Sequence, residues 1–178
     1  YSKQNLREEI HYLAEKQAVT LEARPLRPVS PVLNTARETL TKAYRELAGA
    51  AKQNQELTTA GEWLLDNFYI LQEQIVQLKE DLPSAYYKKL PRLTEGNNKG
   101  MPRIYELVQE LALLSDNIID QDNATTAVKT YQQIQTLKLG ELWAIPIMTR
   151  LVLIQLLADR SRELMELRRV RDVVNREL

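Results

Sequence analysis

The sequence predicts an all-α fold, an antiparallel bundle of five to six helices that ends in a long, kinked C-terminal helix. Apolar residues recur at spacings of three and four through every long segment, which is the period of an amphipathic helix. No run alternates between apolar and polar residues with hairpin turns beside it, so no strand is predicted. A length of 178 residues fits one domain, and we expect residues 1–178 to form a single helical domain.

The first helix is predicted from about Ser2 to Thr20. Three prolines within residues 24–31 then forbid a helix and favour an extended connector. The second helix should begin near Asn34, a good N-cap residue, and end around residues 53–55.

The third helix has the clearest start signal, because Thr59-Ala60-Gly61-Glu62 fits a capping box. Its apolar residues alternate between spacings of four and three, which is typical of a bundle seam. They are Leu64, Phe68, Leu71, Ile75, Leu78 and Leu82.

Pro83 ends the third helix, and residues 84–90 form a short turn or helix. Residues 91–101 are the main loop, which we expect to be mobile because it contains two glycines, two asparagines and no apolar stripe. Pro102 suits the first turn of a fourth helix, and Asn123 can cap a short fifth one.

The last helical segment covers residues 139–178, with a kink or restart at Pro146. Residues 143–158 are nearly all apolar, yet the run is shorter than a membrane span and contains Arg150, so we interpret it as a buried core helix. Residues 160–178 keep only a narrow stripe. We expect this tail to leave the bundle and dock on another domain.

Composition excludes several classes of function. Lys plus Arg and Asp plus Glu are each 24, and a net charge of zero argues against a nucleic-acid binder. The chain has no cysteine and one histidine, His11, which excludes disulfides, a Cys/His zinc site and a thiol nucleophile. Neither glycine-rich phosphate motif occurs. We therefore predict no catalytic residue, cofactor or metal in this chain.

Arg150 is the most informative charged residue, because its helical neighbours three and four positions away are apolar. We predict that it is largely buried and bonded to a carboxylate. Glu73 is the first choice of partner, Asp66 the second and Glu141 the third. These four residues and Arg103 are the predicted structural polar contacts.

Three weaker motifs have ordinary structural interpretations. Asp120-Gln121-Asp122 could bind a divalent cation, but it fits a solvated loop and Asp122-Asn123 looks like an N-cap. Tyr86-Tyr87 beside Lys88-Lys89 could stack on a sugar, but we expect the rings to plug the bundle with their hydroxyls outward. His11 has no partner motif for catalysis.

A series of motifs continues through most of the chain: Asn34…Leu40…Ala43-Tyr44-Arg45…Leu47-Ala48, Trp63-Leu64-Leu65-Asp66-Asn67-Phe68, Glu73-Gln74, Asp81-Leu82-Pro83, Tyr87, Leu90-Pro91, Pro102-Arg103-Ile104-Tyr105, Tyr131-Gln132 and Leu139-Gly140-Glu141-Leu142-Trp143-Ala144. In this order they resemble the N-terminal region of cyclic β-1,2-glucan synthetases. The likeness covers about residues 13–158 and is strongest over 60–91 and 131–157.

The resemblance implies a part of a very large inner-membrane enzyme of Gram-negative bacteria, which builds cyclic β-1,2-glucan from UDP-glucose. In that family the sugar chemistry belongs to a downstream glycosyltransferase domain, whose strand-borne carboxylate motifs have no counterpart here. The resemblance therefore implies a non-catalytic domain on the cytoplasmic face of the membrane, with other domains of the same polypeptide as its partners. The alternative is a regulatory module that senses glucan or UDP-glucose.

Overall fold

The computed structural model describes residues 2–177, and it describes the side chains of residues 2–175. The predicted all-α fold is confirmed: the described residues contain seven helices and one two-stranded sheet. In chain order the elements are α1 (Lys3–Lys16), β1 (Val19–Thr20), α2 (Val29–Lys52), α3 (Thr59–Asp81), α4 (Ser84–Tyr87), β2 (Arg92–Leu93), α5 (Arg103–Leu114), α6 (Gln121–Gln132) and α7 (Leu139–Glu177).

The chain forms two compact units, each with its own core. The first unit contains the residues up to Pro28 together with Asp81–Val152, and the second contains Val29–Glu80 and the residues from Leu153 onward. Helix α7 therefore supplies residues to both units.

In the first unit, α1 packs against α5 and α6 through its buried face. Ser2 caps α1 by accepting a hydrogen bond from the backbone N–H of Asn5 at 3.3 Å. The helix ends at Lys16, before the predicted Thr20, because the next residues become strand β1. The buried residues of α1 are Leu6, Ile10 and Ala14.

The segment predicted to be one mobile loop, residues 91–101, is docked at both ends. Strand β2 within it pairs with β1 in an antiparallel register that places Val19 opposite Leu93. Gly100 has a φ of +84°, and a Cβ there would lie 2.9 Å from the backbone nitrogen of Arg27, so the close approach requires glycine. At the tip, the Asn98 side chain donates to Glu106 at 3.1 Å and to Gln109 at 2.8 Å. The mobility expected for residues 91–101 stays a prediction.

In the second unit, α2 and α3 bury apolar stripes, and the Tyr44 ring stacks on Phe68 with centroids 4.1 Å apart. Helix α2 begins at Val29 rather than near Asn34. Pro31 is tolerated because the N–H groups of a first helical turn have no partner within the helix. Thr58, one residue earlier than predicted, caps α3 by accepting from the N–H of Gly61 at 3.2 Å.

Helix α7 passes through Pro146 without a break, so the predicted restart does not occur. Proline removes one backbone hydrogen bond, and burial of Ala144, Met148 and Leu151 on one side holds the helix in register. The opposite side is open, since Trp143 is 66% exposed, so the predicted core helix is buried on one side only.

Among the described residues, one helix is long and apolar enough to cross a membrane by length and composition, and it covers Leu139–Asn175. Within its most apolar window, 39% of the residues are buried inside the protein. The core helix of a soluble protein meets the same criteria, so this property alone does not assign a span.

Candidate functional site

Arg103 and Glu141 form a buried ion pair in the first unit. Arg103 is the first residue of α5, and Glu141 lies in the first turn of α7. The guanidinium donates from Nε to Oε1 at 2.7 Å and from Nη2 to Oε2 at 2.9 Å. The two side chains are only 6% and 1% exposed. This two-point geometry is the strongest form of an arginine–carboxylate contact.

The remaining polar atoms of the pair also have partners. Arg103 donates to the Gln135 side-chain oxygen at 2.8 Å and to the Thr136 carbonyl at 2.9 Å. Glu141 accepts the backbone N–H of Lys138 at 2.8 Å, which holds the start of α7. Because the buried charges are paired and hydrogen-bonded, their desolvation is offset locally.

A layer of further polar groups, most of them uncharged, surrounds the pair. The hydroxyl of Tyr131 donates to the Gln17 side-chain oxygen, and the Gln17 amide donates to Glu106 at 2.8 Å. The Gln135 amide donates to the Ala14 carbonyl at 2.6 Å. This network connects α1, α5 and α6 through long-range contacts.

Burial and charge shift two pKa values in the network. Burial lowers the pKa of Arg103, but the hydrogen bond to Glu141 and the negative charge of its carboxylate outweigh burial, so the pKa is raised overall. Burial also raises the pKa of the Tyr131 hydroxyl to about 12, despite the opposing charge of Arg103. At neutral pH the arginine is therefore charged and the tyrosine is neutral, so neither group is poised to exchange a proton.

Arg150 forms an ion pair, but not with the predicted partners. It donates to a carboxylate oxygen of Asp81, the last residue of α3. The two side chains are 34% and 33% exposed, so the prediction of a largely buried arginine is wrong. The position lies on the open side of α7, where the guanidinium contacts the carboxylate and the side chain stays about one-third exposed.

The other predicted polar residues separate into two groups. Arg103 and Glu141 are brought together, whereas Asp66 and Glu73 are both exposed on α3, and Arg150 uses Asp81 in their place. Helical spacing identified the face of Arg150, but the pairing depends on which carboxylates the neighbouring helices turn toward it.

The triplet Asp120-Gln121-Asp122 lies at the start of α6 and contacts the start of α1. Asp120 caps α6 in a reciprocal capping box with Asn123, and Asp122 pairs with Lys3 at 2.5 Å. The N-cap is thus Asp120 rather than the predicted Asn123. Within residues 2–175, no group of three or more acidic or histidine side chains could hold a metal ion.

The tyrosine pair packs with its hydroxyls inward, contrary to the prediction. Tyr87 is buried and donates to the Arg27 carbonyl at 2.6 Å, and Tyr86 donates to the Gly140 carbonyl at 2.5 Å. Burial raises the pKa of both hydroxyls. Tyr87 therefore holds the connector and Tyr86 holds the start of α7. Neither ring is placed as a platform for a sugar.

Arg92 is a buried cation that the sequence did not reveal. It is 2% exposed and donates to the carbonyl oxygens of Glu22 and Lys88, while its Nε has no hydrogen-bond partner. Its partners are backbone carbonyls, one four residues away and the other 70 residues away, which side-chain periodicity cannot indicate.

A polar groove of about 660 Å³ lies between α1 and α6. His11 stands in it, exposed, with its Nε2 3.3 Å from Glu15. The groove is lined by Arg7, Glu8, His11, Asp122, Thr125, Thr126, Lys129, Thr130 and Gln133. It has hydroxyl, amide and charged groups, but its lining contains no tyrosine, tryptophan or phenylalanine ring on which a sugar could stack.

An apolar groove of about 610 Å³ lies in the second unit, between the start of α3 and the second half of α7. Trp63 and Leu167 remain 46% and 69% exposed on its walls. The lining residues are Thr59, Ala60, Trp63, Leu64, Leu157, Arg160, Ser161, Glu163, Leu164 and Leu167. Exposed apolar surface of this kind is typical of an interaction site.

These features define an all-α protein with a closed polar network in its first unit and an open apolar groove in its second. No protein-family model matches the chain. Among curated proteins, it is similar to the cyclic β-(1,2)-glucan synthase NdvB of Rhizobium meliloti (strain 1021), with 33% identity over 116 residues. The match covers 65% of this chain but only 4% of that synthase. The chain is thus related to a region of this synthase family, which confirms the resemblance seen in the sequence.

Proposed function

We propose that the chain is a non-catalytic helical domain of a cyclic β-1,2-glucan synthase-like protein, and that it docks on other parts of the same polypeptide. The open apolar groove between α3 and α7 is the observation that carries this proposal. The best-organised polar residues, Arg103 and Glu141, are closed off from solvent and fully bonded to each other and to their surroundings. A reaction needs polar groups that a substrate can reach.

The proposal includes a place in the cell and a division of labour. The related synthase region is a small part of a much longer protein. Glucosyl transfer from UDP-glucose would belong to another part, and this domain would lie on the cytoplasmic face of the inner membrane. Its packing on the transferase region would be its contribution to synthesis.

The second candidate is a ligand-sensing module, and the polar groove between α1 and α6 favours it. Arg7, Lys129 and the hydroxyls of Thr125 and Thr126 could contact the phosphates of UDP-glucose or the hydroxyls of a glucan. Glu8 and Asp122 in the same groove offset its positive charge, and it lacks an aromatic platform. For these reasons docking is the stronger proposal.

Two assays on the purified chain separate these functions. Labelled UDP-glucose should give no glucose incorporation, and calorimetric titration with UDP-glucose and with β-1,2-glucan should give no binding heat. Incorporation of label would contradict the non-catalytic proposal. If either ligand binds, and Lys129→Ala abolishes the binding while the exposed control Lys42→Ala does not, the sensing function would be established instead.

A further inference from the structure

We infer that the apolar groove receives an amphipathic helix whose flanks carry carboxylates. This inference deepens the proposed docking function by naming the surface and the chemistry of its partner. It rests on the residues of the second unit that line the groove and on the charges beside it.

The exposed stripe of α7 has the spacing of a helix–helix seam. Its residues follow at intervals of three and four, so they lie along one side of the helix. They are Leu157, Arg160, Leu164, Leu167, Arg171 and Val174. Leu167 and Val174 are more than half exposed, and Leu157 and Leu164 are half-buried, so the described part of the chain covers this seam incompletely.

The groove is concave, which fits a helix better than a flat surface. Trp63 and Ala60 of α3 form one wall, and Leu164 and Leu167 of α7 form the other. A second apolar groove of about 160 Å³ continues on the other side of Leu164 and Leu167, toward Leu47. Side chains of an inserted helix could pack on both sides of this ridge.

Among the charged residues that line the two grooves, the arginines outnumber the carboxylates. Arg160 and Arg171 stand in the seam itself, and Arg168 beside it donates to the neutral Gln55 side chain. One carboxylate in the groove lining, Glu163, pairs with Arg160 at 2.8 Å. The excess of cationic groups calls for a partner with carboxylates on the flanks of its apolar face.

A second copy of this chain does not meet that requirement. In a parallel pair of seams, Arg160 and Arg171 would each face themselves. In an antiparallel pair that aligns Leu164 with Leu167, Arg160 would face Arg171. Both full-length registers therefore oppose like charges within the contact, which disfavours pairing.

A lipid surface fits less well than a helix. Helices that lie in a membrane interface have a broad apolar face and a basic polar face. Here the stripe is narrow, and Asp159, Glu163 and Glu166 lie beside it or on the exposed side of the same helix. These carboxylates interrupt the continuous basic face that an interfacial helix presents, whereas a partner helix can place its own charges between them.

A peptide titration tests the inference. The probe is an amphipathic peptide about three heptads long with leucine at the core positions and glutamate at the flanks, and the matched peptide carries lysine in place of glutamate. The Trp143→Phe protein leaves Trp63 as the fluorescent reporter in the groove. We expect the glutamate peptide to bind at least about tenfold more tightly than the lysine peptide.

Variants of the protein locate the site. Leu167→Asp should abolish binding. Because Leu167 is 69% exposed in the free protein, the substitution should leave the fold intact. Arg160→Glu with Arg171→Glu should invert the preference in favour of the lysine peptide. The matched control, Arg24→Glu with Arg45→Glu, changes the same charge at exposed positions outside the groove and should leave the preference unchanged.

Four results would overturn the inference: equal binding of both peptides, binding that survives Leu167→Asp, binding to phosphatidylglycerol vesicles without peptide binding, or self-association that Leu167→Asp abolishes. The broader docking function has its own test. If the chain associates with the rest of its synthase and Leu167→Asp leaves that association unchanged, the groove is not the docking surface. The docking function itself would then still hold.

Discussion

At the scale of single residues, the ion pairs show what spacing can and cannot determine. The apolar neighbours of Arg150 correctly indicated a carboxylate contact, yet the partner is Asp81 and the pair is open to solvent. Periodicity gives the direction of a side chain around its own helix. It does not give the rotation of the neighbouring helix, so the buried pair of Arg103 with Glu141 could not be predicted as a pair.

The three arginine pairs predict a graded effect on stability. Arg103→Ala should lower the free energy of unfolding by about 3–5 kcal/mol, because it leaves Glu141 buried without its partner. Arg160→Ala, whose pair with Glu163 is exposed, should cost less than about 1 kcal/mol. Arg150→Ala should lie nearer the Arg160 value. Urea denaturation gives the order, and equal midpoints for the Arg103 and Arg160 variants would contradict the assignment of a buried pair.

Glu110 predicts a pH-dependent effect. Burial and the charges of Glu9 and Glu106 raise its pKa in the folded protein above the ordinary value. The folded state therefore holds this proton more strongly than the unfolded state does, and stability falls as the pH rises through the unfolded and then the folded pKa. Glu110→Gln should raise the urea midpoint at pH 7 and have no effect well below pH 4. A midpoint gain that is the same at both pH values would show that ionisation is not the cause.

At the scale of elements, local signals located most helices but not all their ends. The capping chemistry was present near α3 and α6, yet the caps are Thr58 and Asp120, each earlier than predicted. Strands β1 and β2 were not predicted because each has two residues, too few to show alternation. Their pairing depends on contacts between Val19 and Leu93, which are far apart in sequence.

Helix α7 predicts a gradient of hydrogen exchange. Its core-facing side is buried as far as Met165, whereas Leu167, Val170 and Val174 are more than half exposed. Amides before Ala158 should exchange slowly, and those after about Arg168 should exchange quickly, because few tertiary contacts hold the last turns. Uniform protection of the amides to the end of α7 in the monomer would contradict this gradient. It would show that the tail belongs to the bundle.

At the scale of the whole molecule, both the composition of the chain and its exposed apolar surface favour the proposed docking function. It has no cysteine, one histidine and no net charge. Its motifs in order predicted the relationship to cyclic β-1,2-glucan synthases, which the 33% identity to a region of NdvB bears out. The apolar groove could not be predicted, because it requires Trp63 and Leu167 to meet from α3 and α7.

The most direct test of docking is association in trans. The chain and the remainder of its synthase polypeptide are expressed together as separate chains, and co-purification is measured for the wild type, Leu167→Asp and the exposed control Val76→Asp. We predict that the wild type and Val76→Asp co-purify with the remainder. The amount of Leu167→Asp that co-purifies should be at least about tenfold smaller, because a charge buried in an apolar contact disrupts it. A folded wild-type chain that does not associate with the remainder at all would contradict the docking function.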